Sequence, residues 1–230
     1  AGRYNAYLAN GNLYDENADG LELSCGKDVK LTAFYMKPTD QYGHIGFVTS
    51  DGTRFYALEY EKAYGIKVDG TIGAVNTTAG YTVFKDGARN RYSITDGSLD
   101  QTIPQKDNKI WNVGMSFDVA KDLKLTADYL KSNVDDVYGS NGTKSIKFDG
   151  DDGVVVGLNY KGAKASVPGS YGIYANYYDQ SRGTVIAHTM NGVYGYLGFE
   201  GYMIGMNYTL AKNIVASLEW YDLTQKSVVK

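Results

Sequence analysis

Hydrophobic and polar residues alternate with a period of two along much of the chain. Within Ile110–Asp118, large apolar side chains alternate with small or polar ones: Trp111, Val113, Met115 and Phe117 with Asn112, Gly114, Ser116 and Asp118. Such a period places alternate residues on opposite faces of a β-strand. The same pattern recurs in Leu21–Cys25, Leu31–Met36, Tyr64–Val75, Leu123–Tyr129, Gly153–Tyr160, Gly169–Tyr178, Tyr202–Tyr208 and Ile214–Trp220. The pattern predicts an all-β, antiparallel fold of about 12–14 strands in one domain, residues 1–230.

Two architectures share this alternation. A soluble β-sandwich buries its apolar faces between two sheets, whereas a transmembrane β-barrel turns them to lipid and its polar face to the lumen. Strands of about nine to eleven residues suit the barrel. So does the alternation of short connections (AKD, AKN and EKAYG) with long ones (Phe84–Lys109, Lys131–Asp152 and Asp179–Gly201).

Aromatic residues near the ends of the apolar faces also favour the barrel. Transmembrane barrels carry aromatic girdles where the strands cross the two membrane interfaces. The girdle candidates are Trp111, Phe117, Tyr171, Tyr177, Tyr202, Tyr208 and Trp220.

Composition narrows the choice further. The 230 residues include 28 glycines, 22 tyrosines and one cysteine, and the formal net charge is -3. A single cysteine excludes an internal disulfide, and a near-neutral charge argues against nucleic acid as a partner. No run approaches the ~20 apolar residues of a membrane helix. Glycine and tyrosine suit a sheet that lies between water and lipid.

Charged residues in the polar phase are candidates to line a pore. Five lie on predicted strands and three in the longest loop, where they either fold into the lumen or stay solvated. The strand candidates are Lys67, Asp69, Lys124, Asp128 and Glu219, and the loop candidates are Lys85, Arg89 and Arg91. The face on which Arg54 lies is ambiguous. The residues that would share its face of a strand, Tyr56, Leu58 and Tyr60, are typical of a lipid-facing surface.

No motif predicts catalysis, a cofactor or a metal site. His44 and His188 lack metal-ligand spacing, and we expect them to be surface or loop residues. Cys25 lies in an apolar phase and is expected to face lipid. The acids of FDGDDG, at Asp149, Asp151 and Asp152, lack the pattern of an EF-hand and are expected to form an acidic external loop.

The segment Trp111–Leu223 resembles a known family. The shared features are the strand PGSYGIYANYYDQ, the loop AHTMNG and the two hairpins with AKD and AKN turns. They are similar to the barrel of Negativicute outer-membrane porins, the OmpM type, which carry an N-terminal S-layer-homology domain. The resemblance implies a trimeric, water-filled pore for small hydrophilic solutes in the bacterial outer membrane, in contact with lipid and lipopolysaccharide.

The chain departs from that family at both ends. It contains no S-layer-homology sequence, so a tether to peptidoglycan is expected only through a domain outside this chain. It ends QKSVVK, where such barrels end on a terminal aromatic residue, and with missing strands restored the barrel is expected to reach about 16.

Three functions therefore remain open from the sequence. The first is a passive diffusion porin, and the second is a structural barrel that anchors the membrane without conducting. The third is a soluble β-sandwich that binds a ligand. Bulky residues in the presumed inward phase keep the second possibility open: Phe34, Met36, Tyr174, Tyr178 and Met203.

Overall fold

The computed structural model describes residues 1–38, 47–48, 54–55, 60–86, 91–92, 101–102, 107–138, 145–190, 198–226 and 228–229. Within these residues, no helix has the length and apolar character needed to cross a membrane. Two short 3-10 turns, η1 (Ala9–Gly11) and η2 (Arg182–Thr184), accompany the strands. The strands are β1 (Gly2–Leu8), β2 (Tyr14–Cys25), β3 (Val29–Pro38), β4 (Phe47–Val48), β5 (Arg54–Phe55), β6 (Tyr60–Ile72), β7 (Val75–Asp86), β8 (Arg91–Tyr92), β9 (Gln101–Thr102), β10 (Asn108–Ala120), β11 (Leu123–Lys131), β12 (Asp136–Tyr138), β13 (Ser145–Phe148), β14 (Asp152–Lys161), β15 (Tyr171–Ser181), β16 (Gly198–Ala211), β17 (Ile214–Gln225) and β18 (Val228–Val229).

Among the described residues, eleven long strands form one antiparallel sheet, in the order β1-β2-β3-β6-β7-β10-β11-β14-β15-β16-β17. The antiparallel all-β prediction is confirmed, with eleven strands in this sheet where the sequence predicted about 12–14. Every strand pairs with its nearest long neighbour in the chain, which is a meander. In the described part of the chain, β1 and β17 are the two edges of the sheet.

Short and long connections alternate along this sheet, as the sequence predicted, with one exception. The segment EKAYG was expected to be a short turn, but Glu61–Gly65 lies inside β6. Its Tyr64 pairs with Tyr35 and with Val83, so it continues the outward apolar phase instead of ending the strand. The turn that follows is at Gly73 and Ala74, where Gly73 takes a left-handed conformation. We call the edge with the short turns the short-turn end and the other the long-loop end.

The AKD and AKN hairpins close in the same way. Each has a two-residue turn preceded by a register shift, and its second residue, Asp122 or Asn213, has a positive φ of 62° or 66°. Asp and Asn are the non-glycine residues that best tolerate this left-handed conformation. The internal sequence similarity therefore reflects a repeated hairpin.

The outer face of the sheet is apolar and exposed. Val113 on β10 and Ile204 on β16 are each 51% exposed, and Leu218 on β17 is 70% exposed. Soluble monomers rarely expose contiguous apolar surface of this extent. A β-sandwich would bury these side chains, so the sandwich prediction is wrong for this arrangement. Further exposed members of this outer face are Leu31, Ile66, Met115, Val154, Val156, Leu158, Ile173 and Met206.

The sheet curls so that its inner face surrounds an interior. The turn η1, between the edge strand β1 and its neighbour β2, contacts β10 and β11, which lie in the middle of the sheet. Such a contact requires the sheet to wrap around. Phe34, Met36, Tyr178 and Met203 point into this interior and are buried, and Tyr174 is half-buried there.

Inward glycines make room for inward side chains on the neighbouring strand. A Cβ on Gly205 would lie 2.3 Å from the Tyr174 ring, directly across the ladder between β15 and β16. The glycines of the polar phase therefore allow large residues to pack inside a curled sheet.

Candidate functional site

The interior differs between its two ends. At the short-turn end a cavity of about 330 Å³ opens inside the curled sheet. The predicted pore residue Asp69 lines this cavity and forms an ion pair of 3.3 Å with Lys67, another predicted pore residue, on the inner face of β6. Most other lining groups are neutral hydroxyls and amides or the charges of the β2–β3 turn and the start of β3. The lining residues are Asn10, Lys27, Asp28, Lys30, Asp69, Gly70, Thr71, Asn76, Thr77, Thr78, Gly114, Met115 and Ser116.

At the long-loop end the interior is filled by two chain segments. We call Ala9–Leu13 the inner turn and Arg182–Met190 the inner segment. Their backbones are bonded directly: Ile186 N and Ala187 N both donate to Leu13 O, at 3.1 and 3.2 Å. Leu13, Ile186 and Ala187 are all buried. The inner turn and inner segment therefore form one folded layer inside the sheet.

The two segments are also joined through β15. Met190 N donates to His188 Nδ1 at 3.1 Å, and His188 Nε2 lies 3.1 Å from Gln180 Oε1. Because Nδ1 accepts a hydrogen bond, Nε2 carries the proton and donates to Gln180. Gln180 Nε2 in turn donates to Asn12 O at 3.0 Å. This chain of hydrogen bonds ties the inner segment to the sheet and to the inner turn.

The expectation that His188 is a surface residue is wrong. It lies in a connection between strands, but that connection folds inward and leaves His188 only 1% exposed. Its ring packs edge-on against Tyr178 and Phe199, at centroid distances of 5.4 and 5.6 Å. Burial lowers the pKa of His188 to about 3, so the imidazole is neutral at physiological pH. The other histidine, His44, lies outside the described residues.

Acid is expected to destabilise this layer through His188. Folding favours the neutral form of His188. The contribution of His188 to the free energy of unfolding is therefore complete above its unfolded pKa of 6.5 and is lost as the pH falls from 6.5 toward about 3. Each pH unit in this window costs about 1.4 kcal/mol. Denaturant unfolding at pH 7 and pH 4.5 measures the loss. A His188→Gln variant should show a flatter pH dependence than the unmodified protein; identical slopes would contradict the assignment.

Asp128 lies where the filled half meets the cavity. It is 4% exposed, and its Oδ1 and Oδ2 each accept a hydrogen bond from Asn10 Nδ2 at 2.9 Å. Asn12 Nδ2 also donates to Oδ2, at 3.0 Å. The predicted pore residue Asp128 is thus the anchor of the inner turn on the sheet.

The inner turn is held in an unusual backbone conformation. Ala9, Asn10 and Gly11 have φ values of 50°, 53° and 82°, so three successive residues are left-handed. Alanine in this region costs about 1–2 kcal/mol, and the bonds to Asp128 help to hold it there. Strain of this kind persists only where surrounding contacts fix the conformation.

The other predicted pore residues are dispersed. Glu219 is on the inner face of β17, where Tyr174 and Tyr221 donate to its two oxygens at 2.7 and 2.6 Å. Lys124 is exposed near the AKD turn, and Lys85 pairs with Asp107 at 2.5 Å near the long-loop end. Arg89 lies outside the described residues, as do the side chains of Arg91, in β8, and Arg54, in β5.

The girdle candidates all point outward and form cross-strand pairs. Tyr177 and Tyr202 are opposite each other with ring centroids 5.1 Å apart, and Tyr171 is opposite Tyr208 near the short-turn end. Trp220 is opposite Ile204, nearer the middle of the strand. The exposed members are Trp111, Tyr177, Tyr202, Tyr208 and Trp220, and the half-buried ones are Phe117 and Tyr171.

The sequence analysis missed the filling of the interior. The inner segment contains AHTMNG, which was read only as a loop, and the inner turn, ANGNL, was not singled out. A usable signal was present in the apolar residues Leu13, Val185 and Ile186, which lie in connections between strands. Apolar residues in a connection are typical of one that packs against the protein.

Metal-binding side chains do not cluster in the described residues, where no group of three or more His, Cys, Asp or Glu could hold an ion. Of the FDGDDG acids, Asp151 pairs with Lys131 at 2.5 Å. Cys25 is an exposed free thiol, and its strand partner is Leu31 on the outer face.

Comparison with known proteins gives a structural likeness but no sequence relative. No protein-family model and no curated protein match the chain. Among solved structures, it is similar to the crystal structure of Pseudomonas aeruginosa OccD3 (OpdP), with a TM-score of 0.41 and 15% identity. The likeness covers 99% of this chain and 69% of that one.

Proposed function

We propose that this chain is a membrane-spanning β-barrel of the bacterial outer membrane that acts as a passive diffusion channel for ions and small hydrophilic solutes. The supporting observation is the reversed polarity of the sheet. Its outer face exposes residues such as Val113, Ile204 and Leu218, while its inner face carries the ion pair Lys67–Asp69 around a polar cavity. Lipid on the outside and water on the inside satisfy both faces.

Permeation through such a barrel would depend on the radius and charge of the wall. The hydroxyls and amides of Thr71, Asn76, Thr77 and Ser116 line the cavity, where they can replace part of a solute's hydration. Passive diffusion of this kind involves no catalytic residue and no cofactor.

The assembly is part of the same proposal. The resemblance of Trp111–Leu223 to OmpM-type porins supports a homotrimer in contact with lipid and lipopolysaccharide. Attachment to peptidoglycan would come from a domain outside this chain.

A structural barrel without conductance is the second candidate, and the filled half of the interior favours it. Leu13, Tyr14 and Ala187 are fully buried there, together with Phe84 and Ile110 of the sheet. A barrel closed by such a layer could serve as a membrane anchor.

Single-channel recording in planar bilayers separates the two functions. We expect detergent-purified protein to give stepwise currents that scale with the bulk salt concentration. A barrel that inserts and shows heat-modifiable migration, but passes no current, would contradict the channel and favour the structural barrel. Protein that stays soluble without detergent would contradict both.

A further inference from the structure

The strongest unassigned feature of the interior is the carboxylate of Asp128 at the inner end of the cavity. Asn10 and Gly114 line that end. Gly114 is directly opposite Asp128 in the ladder between β10 and β11, and a Cβ there would lie 2.3 Å from Asp128 Oδ1. The missing side chain therefore makes the space that this carboxylate occupies. Asp128 does not itself line the cavity, but it contacts two residues that do, Asn10 and Gly114.

The hydrogen bonds of Asp128 leave its charge in place. Its described partners, Asn10 and Asn12, are neutral amides that donate to it. Both oxygens act as acceptors, which suits the ionised form. Other carboxylates have a cationic partner: Asp69 pairs with Lys67, and Asp151 pairs with Lys131. Among the described residues, the carboxyl group of Asp128 thus has neutral partners and no paired cation deep inside the sheet.

A second carboxylate on the inner face also has neutral partners, although it is exposed. Glu219 on β17 receives hydrogen bonds from the hydroxyls of Tyr174 and Tyr221. The charges that line the cavity are two lysines, Lys27 and Lys30, and two acids, Asp28 and Asp69, and Lys124 is exposed near the AKD turn. Asp128, at 4% exposed, is more deeply buried than any of them.

Charges in the narrow part of a pore have the largest effect on its ion selectivity. Asn10 links the cavity to Asp128, because it lines the cavity and its amide donates to both carboxylate oxygens. A charge acts most strongly where the passage is narrow and water is scarce, because the local dielectric constant is low.

We propose that Asp128 determines the ion preference of this channel and makes it select small inorganic cations over anions. This inference rests on the proposed channel function. Asn10 acts as a positioning residue, since its amide holds both carboxylate oxygens at the inner end of the cavity.

Reversal potentials in a KCl gradient test the inference. We expect the reversal potential of the unmodified protein to lie between zero and the Nernst potential of potassium. The reversal potential of Asp128→Asn should lie closer to zero. The ratio of K⁺ to Cl⁻ permeability should fall about sixfold, because removing one unit charge at about 8 Å, even in water-like surroundings, changes the permeability of each ion about 2.4-fold in opposite directions. Asp19→Asn is the matched control, because Asp19 is exposed and pairs with Arg3 away from the cavity; it should leave the reversal potential unchanged.

The outcomes separate this inference from the channel function. Currents with the same reversal potential in Asp128→Asn would overturn the role of Asp128 and leave the channel intact. An anion preference of the unmodified protein would do the same, even if the variant failed to fold. Absence of current in every protein would overturn the channel itself, and the inference with it.

Discussion

Replacing Ile204 by lysine is expected to lower the free energy of unfolding in lipid vesicles by about 2–4 kcal/mol. Ile204 is near the middle of β16, on the outer face, and is 51% exposed. In a membrane this position contacts hydrocarbon, where an ammonium group is poorly solvated. In water the same change would be within about 0.5 kcal/mol, because the site is already exposed.

Leu210 on the same strand provides a control for depth. It is 62% exposed and lies next to the AKN turn, at the short-turn end of β16. Leu210→Lys is expected to cost about 0–1 kcal/mol, since its ammonium can reach the interface. Denaturant unfolding followed by tryptophan fluorescence measures both variants. Small and equal losses would contradict a lipid-facing outer surface.

Replacing the inner segment by a glycine- and serine-rich linker of the same length should raise the single-channel conductance several-fold. The segment Arg182–Met190 fills the interior beside the inner turn, so its removal would leave space for water. Its contacts with the sheet include many hydrogen bonds, such as Asn108 Nδ2 to Gly183 O at 2.7 Å. Water can replace such bonds more easily than it can replace apolar packing.

A reversible disulfide tests the same prediction without removing the segment. In a Cys25→Ser background, Gly153→Cys on β14 can be combined with Thr184→Cys on the inner segment. A Cβ on Gly153 would lie 3.3 Å from the Thr184 Cβ, close to the ~3.5–4.5 Å of disulfides.

We expect the oxidised double-cysteine protein to keep the low conductance of the unmodified protein. If the disulfide lowers the conductance further, a reductant should restore it. Thr184→Cys alone, treated in the same way, is the control. If the linker variant and the oxidised protein conduct alike, the inner segment does not limit permeation.

The orientation of the strands was predictable because it depends on local alternation. Trp111, Val113 and Met115 point outward as the sequence predicted, and each is exposed. The mistake at EKAYG has a physical cause: Lys62 and Gly65 suit a turn, but Tyr64 pairs with tyrosine and valine on both neighbouring strands. Sheet pairing outweighed the local preference.

The contacts of the interior could not be read from local patterns. Asp128 was predicted as a pore-lining residue, but its partner Asn10 is 118 positions away in the chain. The bond between Gln180 and Asn12 spans 168 positions. Periodicity gives the face on which a residue lies, and it carries no information about which distant segment will cover that face.

The odd number of strands in the main sheet determines how its edges could meet. Successive antiparallel pairings reverse the chain at each step, so the first and eleventh strands, β1 and β17, run in the same direction. A direct seam between them would be a parallel ladder, with slanted hydrogen bonds and slightly lower stability per residue. A wholly antiparallel cylinder requires an even count. One additional strand between β1 and β17 would therefore convert this meander into a closed surface without parallel pairing, and would leave no unpaired backbone facing lipid.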